Sequence, residues 1–285
     1  MPLTLNEGIT RNLATYNQAR MFPGSHRNLE EEARMLQAEH QYILSACSQV
    51  ASLVPANDDD ITIEWFESLK ETGPGQGHPI HEWLAESASL DMMKYFLVQE
   101  SAGEAGFGDL VAMTQVHMPS RAKLELARNY WDEMGQGNES GMHDRLLRGV
   151  IAHYGLGGYL LADFLPEPLA LANLMVGMAW NRCFAWMSLG ALGVIEMTAP
   201  DRVAKVNRGL ERLGCPKDVR QYFALHAVLD VKHSREWNKE IIEPIFKTKP
   251  FTRRYIAVGA VLRLAAGEAC FQAYSAKLGL PWVIQ

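Results

Sequence analysis

Residues 169–197, LALANLMVGMAWNRCFAWMSLGALGVIEM, form the longest apolar stretch of the chain. The stretch is long enough to cross a bilayer, but Asn181 and Arg182 interrupt it and Glu196 lies at its end. A helix that is apolar on most of its faces is typical of the centre of a soluble helical protein. We therefore predict a buried central helix over about 166–198, around which the other elements pack.

Most of the remaining chain repeats apolar residues at helical spacing, and Pro and Gly clusters separate the segments. Neither strand alternation nor an internal repeat is evident. The further helical segments are predicted at 29–54, 61–70, 81–117, 121–134, 142–155, 201–213, 217–244 and 252–278. The sequence thus predicts an all-α protein of about seven to nine helices. Residues 1–27 are predicted to form an irregular N-terminal arm or an extra helix, and residues 28–285 a single helical-bundle domain.

Composition and charge limit the classes of partner. The 285 residues are 48% hydrophobic and 21% charged, with a net charge of −6 at pH 7. A general nucleic-acid-binding protein would show a basic surface, so we expect no nucleic-acid partner. The first residues lack a basic flank with an apolar core, and the four cysteines are scattered. These features predict a cytoplasmic protein with free thiols, no secretory signal and no membrane partner.

A histidine–aspartate pattern occurs in LHAVLDVKHS (225–234), within the last but one helical segment. His226, Asp230 and His233 stand at i, i+4 and i+7, which places them on one helix face among apolar neighbours. Polar groups buried there without partners would cost on the order of several kcal/mol. Fe(II) and Zn(II) accept imidazole and carboxylate together, so a metal site is one interpretation. A solvated helix face with surface ion pairs is the other.

A glutamate and a histidine flank a glycine-rich turn further upstream. Glu133 lies just before the turn 135–141 and His143 just after it, so two consecutive helices can present them to one interior. Glu139 and Asp144 are close competitors, although the turn should leave Glu139 in water. The turn therefore adds a second histidine–carboxylate pair to the candidate ligands.

Two further carboxylates follow apolar runs. Glu100 comes after Phe96-Leu97-Val98, and Glu196 closes the central apolar stretch. Each could instead face water at a helix end. With these two, four carboxylates and three histidines come from four or five helices, which is how helical bundles build carboxylate-rich diiron sites. The repeated Glu-x-x-His pattern usual in such bundles is absent.

The order of these residues resembles that of the haem-oxygenase-like diiron oxidases over about residues 85–275. EMGQGN (133–138) and the histidine after it are similar to the glutamate, glycine turn and histidine of that family. LHAVLDVKH is similar to the ligand set on its later core helix. The resemblance implies a seven-helix haem-oxygenase-like bundle. It implies two iron ions held by Glu100, Glu133, His143, Glu196, His226, Asp230 and His233.

The resemblance does not fix how the ligands divide between the irons. We predict two triads, Glu100–His143–His233 and Glu133–His226–Asp230. Glu196 would join on oxidation. It matches an extra carboxylate found chiefly in the N-oxygenating members, which favours that branch. No catalytic residue beyond the metal ligands is expected.

Two ferrous ions a few ångströms apart can together give dioxygen two electrons and form a bridging peroxide. We therefore expect a non-haem diiron oxygenase, with O2 as co-substrate, that N-hydroxylates a small amine or amino-acid-derived substrate toward a nitroso or nitro product. The alternative is a diiron oxidase that cleaves a C–C bond or desaturates a carboxylate substrate. Manganese in place of one iron remains open. The electrons must come from an external donor, because the chain has no flavin or nicotinamide fingerprint.

The sequence gives less evidence about the substrate and the oligomeric state. A carboxylate on the substrate would need an anchor, for which Arg148 and Arg182 are candidates, although a structural ion pair is the more common role of such residues. A homodimer through an apolar helix face is also expected.

Other classes of function remain as alternatives. A metal-free relative of thiaminase type would need a nucleophilic cysteine, but Cys183 and Cys215 lack an evident His/Asp setting. A haem oxygenase would need a proximal histidine, for which His40 is the candidate. A cofactorless oxidase and a metal-free helical binding protein complete the set. Measuring the iron bound by the purified protein would distinguish these classes of function from a diiron enzyme.

Overall fold

The computed structural model describes residues 3–24, 28–103 and 106–282. These ranges are helical without a strand, so the predicted all-α class is confirmed. The α-helices are α1 Glu7–Met21, α2 Leu29–Val50, α3 Ile63–Thr72, α4 Ile80–Glu86, α5 Leu90–Gly103, α6 Phe107–Thr114, α7 Ser120–Glu133, α8 His143–His153, α9 Pro166–Trp180, α10 Ala185–Arg212, α11 Gln221–Trp237, α12 Glu243–Thr248 and α13 Arg253–Lys277. A π-helical turn, Asn238–Ile242, joins α11 to α12.

The core is built around α10 and α13, which make the most extensive helix–helix contact among the described residues. Their backbones touch at two glycines. A Cβ on Gly190 would lie 1.9 Å from the Ile256 carbonyl oxygen, and one on Gly259 would lie 2.0 Å from that of Met187. Helices α4, α9 and α11 pack around this pair. A larger residue at either glycine would force the two central helices apart.

The central helices are long and apolar enough to cross a membrane. The segments are Arg182–Arg212 and Pro250–Lys277, and 78% and 72% of their apolar windows are buried within the protein. Burial of this extent is that of the core helices of a soluble protein, as predicted for the central stretch. Location in the cytoplasm stays a prediction.

The helix boundaries differ from those expected at three places. The apolar stretch does not form one helix: it breaks at Asn181, whose side chain accepts a hydrogen bond from the Cys183 N–H at 3.1 Å. Helix α10 then continues through Pro200 to Arg212, where two helices were predicted. Tertiary packing against α11 and α13 outweighs the local helix-breaking tendency of proline here. The predicted segment 81–117 is likewise divided, into α4, α5 and α6.

The N-terminal segment is a packed helix and not an irregular arm. Asn6 caps α1 by accepting a hydrogen bond from the Ile9 N–H, and α1 packs on α9. Its buried face mixes polar with apolar residues, and Arg20 forms a buried ion pair with Glu39 of α2. Polar residues on the buried face hide this helix from hydrophobic periodicity. Residues 1, 2 and 25–27 of the predicted arm lie outside the described ranges, and the division from domain 28–285 stays a prediction.

Candidate metal centre

The glycine-rich turn brings the end of α7 to the start of α8. Gly135 has a φ of +59°, and a Cβ there would lie 2.5 Å from the carbonyl carbon of Gly141. The two sides of the turn are therefore in backbone contact, which only glycine permits. As a result, the His143 Nδ1 lies 2.9 Å from the Glu133 Oε1, and both side chains are buried.

Helix α11 completes a first group of candidate ligands. The His226 Nδ1 lies 2.8 Å from the Tyr222 carbonyl oxygen, to which it donates, and this leaves the His226 Nε2 as an acceptor for a metal. The His226 and His143 rings meet edge to face with centroids 4.5 Å apart. Glu133, His143 and His226 each offer a ligand atom within 4.8 Å of the others.

A second group lies further along α11. The His233 Nδ1 is 3.4 Å from the Glu196 Oε2 and 3.9 Å from the Asp230 Oδ1, and all three side chains are buried. Glu196 projects from α10, and its Oε1 accepts a hydrogen bond of 2.6 Å from the Asn129 Nδ2. The ligand atoms of Glu196, Asp230 and His233 also lie within 4.8 Å of one another.

Asp132 is the outer partner of the second group. Its Oδ2 lies 3.0 Å from the His233 Nε2, the ring nitrogen that points away from Glu196. Burial lowers the pKa of His233, but the neighbouring carboxylates of Glu196 and Asp132 outweigh it and raise this pKa to about 9. In the metal-free protein His233 therefore carries a proton at neutral pH, and its charge compensates the acidic neighbours.

Both groups have the donor set that a metal ion requires. The His143 Nδ1 and the His233 Nδ1 are buried without a hydrogen-bond partner, although each faces a carboxylate oxygen. A cation between imidazole and carboxylate would satisfy both atoms. Carboxylates with imidazoles suit Fe(II) and Zn(II), so the residues present fit the expected metal.

Six of the seven predicted ligands therefore meet in two groups. Glu100 belongs to neither group, although it lines the same cavity. The groups differ from the expected triads: Glu133 shares a group with His143 because the turn joins them, and His233 lies with Glu196 and Asp230. The competitors are exposed, Glu139 in an ion pair with Arg145 and Asp144 in one with Arg148.

A cavity of about 420 Å³ reaches both groups. Five of the six grouped residues line it, together with Glu100 and many apolar side chains, among them Phe96, Leu97, Phe107, Leu110, Leu171 and Met175. Two arginines also line it, Arg202 of α10 and Arg263 of α13.

The arginines suggested from the sequence lie elsewhere. The exposed Arg148 pairs with Asp144, and Arg182 donates to the backbone carbonyls of Met113 and Thr114. Neither of them lines the cavity, so neither is placed to hold a substrate there.

Sequence reasoning missed the residues that support the ligands. Asn129 and Glu133 stand at i and i+4 on α7, so their shared buried face was detectable as a polar stripe. Asp132 gave no such signal, because its contact with His233 joins residues 101 positions apart. Tyr222 acts through its backbone carbonyl, which any residue provides.

The fold and the two groups define a helical protein with a buried histidine–carboxylate metal centre. The family of iron-containing redox enzymes, of haem-oxygenase-like type, matches residues 94–268, and the chain belongs to this family. The match includes every residue of both groups and most of α5 to α13. No curated protein matches the chain. Family membership makes the protein an iron-binding oxidoreductase.

The residues for the other functional classes lie apart from this centre. His40, the candidate haem ligand, packs against Phe184 in a tilted arrangement with ring centroids 5.0 Å apart, and it does not line the cavity. Cys183 is exposed, while Cys215 is buried and also absent from the cavity wall. The geometry therefore favours the histidine–carboxylate groups as the functional site.

Proposed function

We propose that the protein is a non-haem diiron oxygenase that uses O2 to N-hydroxylate a small amine or amino-acid-derived substrate. One observation carries the proposal: His143 and His233 each keep a buried Nδ1 without a hydrogen-bond partner, facing a carboxylate oxygen. Two such groups, joined by one helix and opening to one cavity, fit one iron ion each. Two ferrous ions together supply the two electrons that reduce dioxygen.

The protein's own residues orient and shelter the centre. The Tyr222 carbonyl holds the His226 ring with Nε2 toward the first group. Asp132 holds His233 with Nδ1 toward the second group, and Asn129 anchors one oxygen of Glu196. Outer hydrogen bonds of this kind set the orientation and basicity of metal ligands. The apolar cavity limits water around the reacting substrate.

The place of Glu196 supports oxidation at nitrogen. It is the extra carboxylate that matches the N-oxygenating members of the family, and it lies within the second group of potential ligands. The reducing equivalents would come from an external electron donor. We also propose that the protein forms a homodimer and is located in the cytoplasm.

The second candidate is oxidation of a carboxylate substrate with C–C cleavage or desaturation. The apolar cavity wall favours it, because a substrate with a hydrocarbon body would fit among Phe96, Leu171 and Met175. Analysis of the products decides between the two: a hydroxylamine or nitroso product labelled from ¹⁸O2 supports N-hydroxylation, whereas an alkene supports the second candidate.

The experiment that tests the proposal is anaerobic titration with Fe(II), followed by mixing with oxygenated buffer. About two irons per chain and a transient visible absorption are expected, and a screen of amines and amino acids follows. His226→Ala and Asp230→Ala should each lose about one iron while the helical content stays near wild type. His143→Ala should likewise lose about one iron, and His153→Ala, at an exposed position on the same helix, is its control and should keep both irons.

Two outcomes would contradict the proposal. If His226→Ala and Asp230→Ala both retain two irons, the ligand assignment is wrong. If the wild-type chain takes up no iron and shows no absorption change, the diiron proposal fails as a whole.

A further inference from the structure

Two arginines on the cavity wall have no part in the metal groups. Arg202 lies on α10, between Ala199 and Val206, and all three line the same cavity as Glu196. Arg263 lies on α13, and a Cβ on Gly267 would lie only 2.8 Å from its Nη1. The missing side chain at Gly267 therefore gives the Arg263 guanidinium room to lie along α13 at the cavity wall.

The surroundings of Arg202 are largely apolar and aromatic. Its guanidinium lies 5.6 Å from the centre of the Phe271 ring, and the buried His81 contacts the same ring with centroids 4.6 Å apart. Burial, followed by the charge of Arg263, lowers the pKa of Arg202 to about 10. Burial also lowers the pKa of His81, which is therefore neutral at pH 7. Arg202 remains charged at that pH.

The hydrogen bonds of Arg202 go to neutral acceptors. Its Nε donates to the Thr198 carbonyl oxygen at 3.1 Å and its Nη2 to the Thr198 Oγ1 at 3.0 Å. Within the described ranges, no carboxylate oxygen lies within 4.0 Å of its side-chain nitrogens. The negative groups that act on it from further away are Glu100, Asp201 and Asp230. Two of these, Glu100 and Asp230, are candidate iron ligands whose charge a metal would offset.

We infer that Arg202 and Arg263 form the subsite that binds the carboxylate of an apolar substrate. Guanidinium groups match the planar geometry of a carboxylate, and most of the acidic residues that line the same cavity are candidate iron ligands, whose charge a bound metal would offset. The rest of the wall is mostly hydrocarbon, which fits an apolar body on that carboxylate. Arg202 follows Glu196 by six residues, about 9 Å along the helix, so such a substrate would reach from the arginines toward the second group.

This inference rests on the proposed function and deepens it, because an amino-acid-derived substrate with an apolar side chain would place its carboxylate at the two arginines. The probe is 3-phenylpropionate, with the uncharged 3-phenylpropanamide as its counterpart. Binding is measured by calorimetry on the full-length chain, both freed of metal by a chelator and loaded anaerobically with Fe(II).

We expect the acid to bind at least tenfold more tightly than the amide, and its affinity to fall at least tenfold in Arg202→Met and in Arg263→Met. Arg208→Met is the matched control on α10, because Arg208 is exposed in an ion pair with Glu82 and should bind the acid as wild type does. Arg202→Lys keeps the charge but not the planar guanidinium, so it should retain part of the preference for the acid over the amide. It tests the subsite even if the methionine variants do not fold.

Equal affinity for acid and amide in both forms would overturn the inference. Tighter binding of phenyl phosphate than of the acid would overturn the carboxylate class. The two proposals fail separately. If the chain binds two irons but does not prefer the acid, the proposed function stands and the anion subsite is wrong. If the metal-free chain prefers the acid through the arginines but the protein takes up no iron, the anion subsite stands and the diiron proposal is wrong.

Discussion

At the scale of single residues, the decisive feature is which atom of each histidine faces the centre. His226 uses its Nδ1 for the Tyr222 carbonyl, so its Nε2 is left for a metal, whereas His233 uses its Nε2 for Asp132 and turns its Nδ1 inward. The same residue type thus presents opposite nitrogens at two turns of one helix. The outer partner, and not the histidine itself, selects the ligand atom.

The proton on His233 leads to a pH dependence of iron binding. Since its pKa is raised to about 9, a metal must displace a proton below that pH. The affinity of the second group for Fe(II) should therefore rise with pH, by up to about tenfold per unit, until it levels off near pH 9. Anaerobic competition with a chelator between pH 6.5 and 8.5 measures this.

Asp132→Asn removes one of the charges that raise the pKa of His233, so the plateau should move to lower pH. Asp144→Asn makes the same charge change at an exposed position on α8 and should leave the profile unchanged. An affinity independent of pH over this range would contradict the assignment of His233 as a ligand.

At the scale of elements, the centre depends on how α7 is joined to α8. The turn between them must fold back so closely that Gly135 contacts the backbone of Gly141. This contact sets the 2.9 Å approach of Glu133 and His143. The nine-residue connection 134–142 therefore positions the ligands of the first group, whereas contacts between distant parts of the sequence position those of the second group.

Gly135→Ala should separate the two ligands. The new Cβ would lie 2.5 Å from the Gly141 carbonyl carbon, and the φ of +59° adds a cost of about 1 kcal/mol for a residue with a side chain. We expect loss of about one iron per chain and a lower melting temperature. Iron counting together with thermal unfolding checks both.

Gly149→Ala is the control for this substitution. Gly149 lies within α8, where a Cβ would meet nothing within 4 Å, and alanine is the better helix former. This variant should keep both irons and a melting temperature at or above that of wild type. Unchanged iron content in Gly135→Ala would show that the turn does not set the first group.

At the scale of the whole molecule, the candidate ligands tie four helices together. They come from α7, α8, α10 and α11, and α10 is also in backbone contact with α13. In the metal-free chain the carboxylates of these groups repel one another across a buried space. A bound cation would remove this repulsion and stabilise the folded state.

Iron should therefore raise the melting temperature in proportion to its occupancy. A metal that binds only the folded chain adds about 2.7 kcal/mol of stability at a free concentration one hundred times its dissociation constant. Anaerobic thermal unfolding over a range of Fe(II) concentrations measures the effect. His143→Ala with His233→Ala should abolish the shift, whereas His153→Ala should keep it. A shift that persists in the double variant would mean that iron stabilises the fold from another site.

The sequence by itself determined the all-α class and predicted the six candidate ligands that meet in two groups. Helical periodicity and the i, i+4, i+7 pattern on α11 are local properties of the chain. It missed the packing of α1, whose buried face mixes polar with apolar residues, and the continuation of α10 through Pro200. Only the tertiary structure decided how the ligands divide, which partners orient His233 and Glu196, and that Arg202 and Arg263 share the cavity. These relations depend on which helix faces meet, as where Asp132 contacts His233 from 101 positions away and Asn129 contacts Glu196 from 67 positions away. No local pattern in the sequence specifies such contacts.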